Sequence, residues 1–332
     1  MDEFELIKRY FTRPARNAVL GVGDDCALLQ PAPGTQLAIS CDMLVEGRHF
    51  LSTVDPFKLG HKALAVNLSD LAACGAKPLA FTLALALPRA DDAWLAPFSQ
   101  GLFALADAHG CELIGGDTTR GPLNICITVF GEVPVVNGQS KALLRSGAQV
   151  GDDLYVSGTL GDARLALEVF RGTVSVPAPA QEAARCRMEQ PTPRVALGLA
   201  LRSIATAAID VSDGLLGDLG HILQQSGVGA TVNTDIAATL VAARAYYTKT
   251  SNLSATEISP DQWRDLALAG GDDYELLFTA PVSKRKAVAT AALASQTPVT
   301  RIGQIDLERG LHLLDGQGQT VPNNYASFDH FA

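Results

Sequence analysis

"IGGDTTRG" (residues 114–121) closes one apolar run, "CELIGG" (111–116), and stands just before another, "NICITVFGEV" (124–133). Both runs are rich in the apolar and β-branched residues that suit a buried strand. Two glycines followed by Asp117 predict that the first strand ends at Gly115–Gly116. That end is either a tight turn capped by the aspartate or a place where something approaches bare backbone beside a negative charge. Reading outward, "QLAISCD" (36–42) and "AFTLALAL" (80–87) are further strands. Between them "DPFKLGHKALAVNLSDLAACG" (55–75) is a helix, with Asp55 as N-cap, Pro56 at the first helical position and Gly75 after the end. A second helix falls within 92–109 and stops at Gly110, with Pro97 obscuring where it begins.

The polar, glycine-rich stretch near 134–152 marks the domain junction, so the parts are 1–138 and 139–332. Beyond it, "DLYVSGTLGDARLALEVF" and "TAAIDVSDGLLGDLGHILQQSG" (206–227) each read strand, turn, helix. "TPRVALGLALRS" (192–203) reads as a helix capped by threonine. "DDYELLFTA" and "TRIGQIDL" add strands, "GLHLLDGQGQTV" looks like a hairpin, and 171–190 and 248–262 read as loops. The fold class is α+β or α/β in two parts. "NLSDLAA" and "IGGDTT" in the first part echo "DVSDGLLGDL" and "AGGDDYE" in the second, a weak sign of duplication.

Composition narrows the function. A chain of 332 residues that is 47% hydrophobic exceeds one ordinary core, which favours two domains of roughly 150 residues. Its formal charge of -9 argues against nucleic acid and suits a protein that gathers divalent cations. The six cysteines show no C-x-x-C pair and read as small buried hydrophobes in a reducing compartment. "MDEFELIKRYF" is charged, unlike a signal peptide, and "LAFTLALAL" (79–87) is too short to span a bilayer, so the expected location is the cytoplasm.

Six segments start or end elements with aspartate: "GVGDDCALL" (21–29), "ISCDML" (39–44), "NLSDLAA" (67–73), "IGGDTT" (114–119), "AIDVSDG" (208–214) and "GGDDYE" (270–275). Each has a bland reading as a cap or turn. Asp70 resists it, because it sits inside a helix with Asn67 one turn earlier on the same face. Asp210 resists it too, directly after the apolar "TAAI". Converging carboxylates about 4 Å apart repel by roughly 4 kcal/mol per pair at an effective dielectric near 20. Oxygen-only ligands without histidine or thiolate sets point to Mg²⁺, which shares its shell with phosphates. Phosphoryl transfer is the economical hypothesis. No G-x-x-x-x-G-K-[ST] occurs, "GVGDDC" fails the dinucleotide fingerprint, and there is no G-x-S-x-G elbow. Arg145 and Arg120 are the basic candidates for a nucleotide's phosphates, each with a surface reading beside it.

Together these motifs, with "EGRHF" and the C-terminal "FDHFA", resemble the thiamine-monophosphate kinase family, in the superfamily of aminoimidazole ribonucleotide synthetase and selenophosphate synthetase. The likeness runs over nearly the whole chain. It implies an N-terminal mixed sheet with helices forming a dimer interface, and a C-terminal α/β sandwich domain. It implies ATP-dependent conversion of thiamine monophosphate to thiamine diphosphate with several Mg²⁺ ions, in a homodimer, with the nucleotide in a cleft between domains. Carried over, the metal ligands are Asp25, Ser40, Asp42, Asp70, Asp117, Asp210 and Asp213, with Cys41 contributing only its backbone carbonyl because it stands where Thr is common. ATP meets Gly116, Asp117, Arg145 and Ser212. Thiamine monophosphate meets His49, Asp272 and the ring of Phe328. Asp272 replaces a Glu and Phe328 stands where Tyr occurs. Only one of Asp24 and Asp25 faces a ligand if that segment is a strand. The rival readings are another superfamily synthetase, a non-catalytic store of Mg-nucleotide or thiamine phosphate, and a structural dimer whose aspartates are caps.

Overall fold

The computed structural model describes residues 2–247 and 258–325. The chain divides into two compact units, Met1–Ala142 and Leu143–Ala332.

In the first unit, α1 (Glu3–Tyr10) is closed by a capping box between Asp2 and Glu5. There follow β1 (Thr35–Val45), α2 (Pro56–Ala73), β2 (Lys77–Leu87), α3 (Asp92–His109), β3 (Glu112–Arg120), β4 (Asn124–Val136) and the short β5 (Gln139–Ser140). The expected start and stop signals of α2 are present. Asp55 accepts from the N–H groups of Phe57 and Lys58, Pro56 opens the helix, and Gly75 follows it at φ 64°. Asp91 caps α3, Pro97 lies inside it, and Gly110 ends it at φ 60°. The strands run β1-β4-β2-β3, antiparallel except for β2 and β3, which are parallel and joined through α3. The core between sheet and helices holds Phe81, Leu83 and Leu85 of β2, Ile125, Ile127 and Val129 of β4, and Leu64, Leu68 and Leu71 of α2.

One expectation fails here. β3 does not stop at the glycine pair but continues to Arg120. The ladder instead shifts register, pairing Phe81 with Leu113 and Thr82 with Gly115, so Ile114 is the extra residue of a bulge and the glycines after it stay paired in the strand rather than forming a turn.

The second unit contains β6 (Asp153–Ser157), α4 (Asp162–Phe170), α5 (Ala178–Glu189), α6 (Val195–Leu201), β7 (Ala207–Asp210), α7 (Leu215–Ser226), β8 (Gly229–Asn233), α8 (Thr234–Ala238), α9 (Arg244–Tyr247), α10 (Pro260–Ala269), β9 (Leu276–Ala280), α11 (Arg285–Ala294), β10 (Val299–Asp306) and β11 (Gly310–Leu314). The strand order is β11-β8-β10-β6-β9-β7, antiparallel except for β8 and β11. Leu154, Val156, Ile209, Leu219, Ile222, Leu277 and Ile302 lie in its core. Each unit is thus a mixed sheet with helices, the two-part α+β class that the strand and helix patterns indicate.

Three local readings need correction, and a fourth, the hairpin, is present in reduced form. Residues 178–189, read as loop, are the alanine-rich helix α5, with prolines confined to its start. Of 248–262, residues 248–257 lie outside the described residues, but Ser259 and Gln262 form a capping box that begins α10. α6 starts at Val195 with Arg194 at its N-cap, so Thr192 caps nothing. The hairpin at 310–321 is a strand parallel to β8, with its return reduced to the bridge between Leu314 and Thr320. The cysteines also differ from the buried reading: Cys26, Cys41 and Cys186 are exposed, and Cys111 is buried.

Candidate functional site

In the first unit, two elements bring three of the expected ligands together. Ser40 and Asp42 alternate along β1 and therefore share a face. α2 lies across that face. Ser40 Oγ donates to Asp70 Oδ2, and Asn67 Oδ1 accepts the backbone N–H of Asp42 at 3.1 Å. Asn67 Nδ2 in turn donates to Ala63 O at 3.1 Å, which fixes the amide's orientation. Asp42 and Asp70 both keep partial access to solvent. Cys41 turns to the opposite side, with Sγ 3.4 Å from Cys126 Sγ. Burial, helped by Cys41 and the charge of Asp42, pushes the Cys126 thiol up to about 11, so it stays protonated.

Asp117 belongs to a different part of the same sheet. The register sets it beside Ala84 on β2, whereas Asp42 pairs with Ile127 of β4. β3 stands three strands from β1, roughly 14 Å at the usual spacing of ~4.8 Å per strand. Gly116, at φ 145°, would place a Cβ 1.9 Å from Leu83 O, so only glycine fits and its backbone stays uncovered. Asp25 sits in an exposed loop closed by backbone bonds between Val19, Leu20 and Leu28; it is not in a strand, and Asp24 Oδ1 accepts the Asp25 N–H at 2.8 Å. The chain ahead of that loop is tied to β3, because the Glu112 carboxylate accepts from the N–H groups of Arg16, Asn17 and Ala18 at 2.8 to 3.2 Å. His49 Nδ1 accepts the Val45 N–H at 3.0 Å, which leaves Nε2 as the protonated nitrogen of the neutral ring.

In the second unit, β7 ends on buried Asp210, and the turn Val211–Gly214 leads into α7. Asp218, on the first turn of α7, folds back so that Oδ2 accepts from the N–H groups of Ser212 at 3.0 Å and Asp213 at 3.1 Å. Burial pushes the Asp218 carboxyl up to about 7, against the pull of those N–H groups. The turn rests on the 270–275 segment. Asp272 N donates to Ser212 O at 2.8 Å, Tyr274 N to Val211 O at 2.9 Å, and Val211 N to Glu275 O at 2.8 Å. Ser212, Asp213 and Asp272 are thereby brought together. Arg145 is exposed, and its carbonyl accepts from Ser226 Oγ at 3.2 Å. Phe328 lies outside the described residues. Among the described residues, no three aspartate, glutamate, histidine or cysteine side chains converge closely enough to hold a metal by themselves.

Sequence reasoning missed Glu112, Asp218, Asp273, Glu275 and the arginines Arg187 and Arg194. Asp218 had a signal, as the third acid in "DVSDGLLGDL". Glu275 closes "GGDDYE", and so acidic a segment beside an apolar strand requires cations from elsewhere in the chain. The arginines that supply them come from stretches read as loop or helix start.

Two family models match, AIR synthase related protein, N-terminal domain over residues 23–133, and AIR synthase related protein, C-terminal domain over residues 149–314. The thiamine-monophosphate kinase of Escherichia coli K12 is 44% identical over 337 residues, covering 99% of this chain and 98% of its own. That of Haemophilus influenzae is 40% identical over 339 residues, covering 100% and 98%. The crystal structure of thiamine-monophosphate kinase from Stenotrophomonas maltophilia K279a superposes with a TM-score of 0.80 at 46% identity, covering 96% of each chain. AaThiL complexed with AMPPCP and TMP superposes with a TM-score of 0.75 at 28% identity, covering 91% of this chain and 89% of that one.

Proposed function

The chain belongs to the thiamine-monophosphate kinase family of AIR synthase related proteins, and from that premise we infer that it transfers the γ-phosphoryl group of ATP to thiamine monophosphate. The products are thiamine diphosphate and ADP. The observation that carries this reading is likeness to these kinases along the full chain, one relative having been solved with AMPPCP and TMP.

The donors in the first unit fit a hard divalent cation. Ser40, Asp42 and Asp70 offer only oxygen, and the Cys41 thiol is turned to the opposite side, against Cys126. Asp25, Asp42, Asp70, Asp117, Asp210 and Asp213, with Ser40 Oγ and the Cys41 carbonyl, would hold Mg²⁺. When bound, the ions supply charge neutralisation for the transferring phosphoryl group. The separation of β1 from β3 exceeds the span of one coordination shell, which favours more than one ion.

The rest of the chemistry is positioning. The backbone at Gly116, with Arg145 and Ser212, holds the nucleotide. His49 donates from Nε2 to the phosphate of the acceptor. Asp272 offers a carboxylate to the cationic thiazolium, and Phe328 a ring face to the flat heterocycle. The acceptor oxygen is already ionised near neutral pH, so transfer is direct and in line, needs no strong general base and phosphorylates no side chain.

The protein acts as a homodimer, a proposal supported by the edge strand β1, where Leu37, Ile39 and Met43 remain exposed on the side away from α2. A cytoplasmic location is supported by six cysteines none of which forms a disulfide. Among the described residues no helix is long and apolar enough to cross a membrane.

The test is a coupled assay of ADP release from Mg-ATP with thiamine monophosphate, unphosphorylated thiamine or an amidine ribonucleotide as the second substrate. ADP and thiamine diphosphate should appear together and one for one, only with thiamine monophosphate. ADP release with the amidine ribonucleotide instead, or tight ATP binding with no turnover on any of them, would overturn the reading.

A further inference from the structure

We propose that Arg187 and Arg194 are positioning residues for the thiamine phosphate, clamping Glu275 so that the 270–275 segment presents Asp272 in one fixed conformation. The inference rests on the reading of Asp272 as a substrate contact.

Local geometry calls for such a device. Asp272 lies at φ 69° and Tyr274 at φ 52°, two left-handed residues that are not glycine within three positions. Conformations of this kind persist only where the surroundings over-determine them, and they concentrate where function depends on backbone shape. Asp273, between the two, is buried and accepts the Gly161 N–H with both oxygens, at 3.0 and 2.9 Å. Its neighbours' N–H groups are tied to Ser212 O and Val211 O.

Glu275 completes the restraint. It is fully buried, and its carboxylate accepts from Arg194 Nε and Nη2 at 2.6 Å each, from Arg187 Nη2 at 2.7 Å and from Ser157 Oγ at 2.6 Å. The two-pronged Arg194 contact is the geometry a guanidinium offers and an ammonium does not. Arg187 Nη2 also donates to Asp273 O at 3.1 Å, so it grips the strained backbone itself. Gly158 makes room for the carboxylate, since a Cβ there would fall 2.0 Å from Glu275 Oε1. The arginines arrive from the last turn of α5 and the N-cap of α6. The loop that carries Asp272 is therefore set by two other elements, not by its own sequence.

The test is steady-state kinetics on the full-length protein, varying thiamine monophosphate and ATP separately, for Arg194→Ala, Asp272→Ala and the double variant. Each single variant should raise KM for thiamine monophosphate about tenfold, the loss expected from one charge-assisted contact, with KM for ATP unmoved. The double variant should be no worse than Asp272→Ala alone, because the arginine acts through the aspartate. If Arg194→Ala does not fold, Arg194→Lys runs the same cycle, keeping the charge and losing the two-pronged contact. A raised KM in Asp272→Ala with an unchanged KM in the Arg194 variant, or effects that multiply in the double variant, overturns the clamp while sparing the substrate contact. An unchanged KM in Asp272→Ala removes the substrate contact and the clamp with it.

Discussion

The candidate-site acids of the first unit and the buried framework acids of the second are the same chemical groups in opposite surroundings. In Met1–Ala142, Asp25 and Asp117 are exposed, and Asp42 and Asp70 keep a side open to solvent. In Leu143–Ala332, Asp153, Asp162, Asp218, Asp273 and Glu275 are buried against backbone N–H groups or arginines. Burying a carboxylate is tolerable only when the protein supplies the compensating partner. The second unit supplies it from its own chain and gains a rigid frame, whereas the open acids of the first are suited to a cation arriving with the substrate.

The difference makes removal of charge cost activity at the open acids and stability at the buried acids that are paired within the chain. Asp70→Asn should lower kcat by about 10²-fold or more, the scale of losing an electrostatic contact made in the transition state. Its melting temperature should stay near that of the wild type. Glu275→Ala, in contrast, leaves Arg187 and Arg194 facing each other without their anion and should cost about 3–5 kcal/mol in urea unfolding. If Asp70→Asn proves the less stable of the two, the contrast between the units is wrong.

A smaller effect sharpens the same contrast through pH. Hydrogen bonding from Arg285, joined by Arg301 and Tyr155 and opposed by burial, holds the Asp153 carboxyl down to about 2. Because this folded value lies below the unfolded one, the stabilisation is present above about pH 4 and is lost as pH falls toward 2. Asp153→Asn should flatten the acid limb of the stability curve and leave turnover at neutral pH unchanged. A still smaller change concerns Gly116, where alanine would meet Leu83 O and require a left-handed backbone. Gly116→Ala should cost about 1–3 kcal/mol by thermal or urea unfolding.

Much of the first unit was legible in the sequence because its signals are local. Asp55, Pro56 and Gly75 bound α2, and the spacing of Asn67 and Asp70 shows that they share a face. The continuation of β3 through two glycines was not legible, since the bulge depends on the register with β2. In the second unit the acidic motifs were visible but their role was not. "GGDDYE" shows four residues that could bind a ligand or cation only when Gly161, Arg187 and Arg194 are left out of view. Those partners lie 81 to 112 positions away in the chain, and nothing in the local pattern announces them.

The most direct test of the open acids as the metal-bearing ones is a Mg²⁺ titration of thiamine diphosphate formation at fixed ATP and thiamine monophosphate, run in parallel on wild type, Asp70→Asn and Asp153→Asn. The expected result is a requirement for Mg²⁺ in wild type, the same curve for Asp153→Asn, and for Asp70→Asn a curve displaced to higher Mg²⁺ with a much lower plateau. A curve for Asp70→Asn that overlies the wild type would show that the cation is held elsewhere.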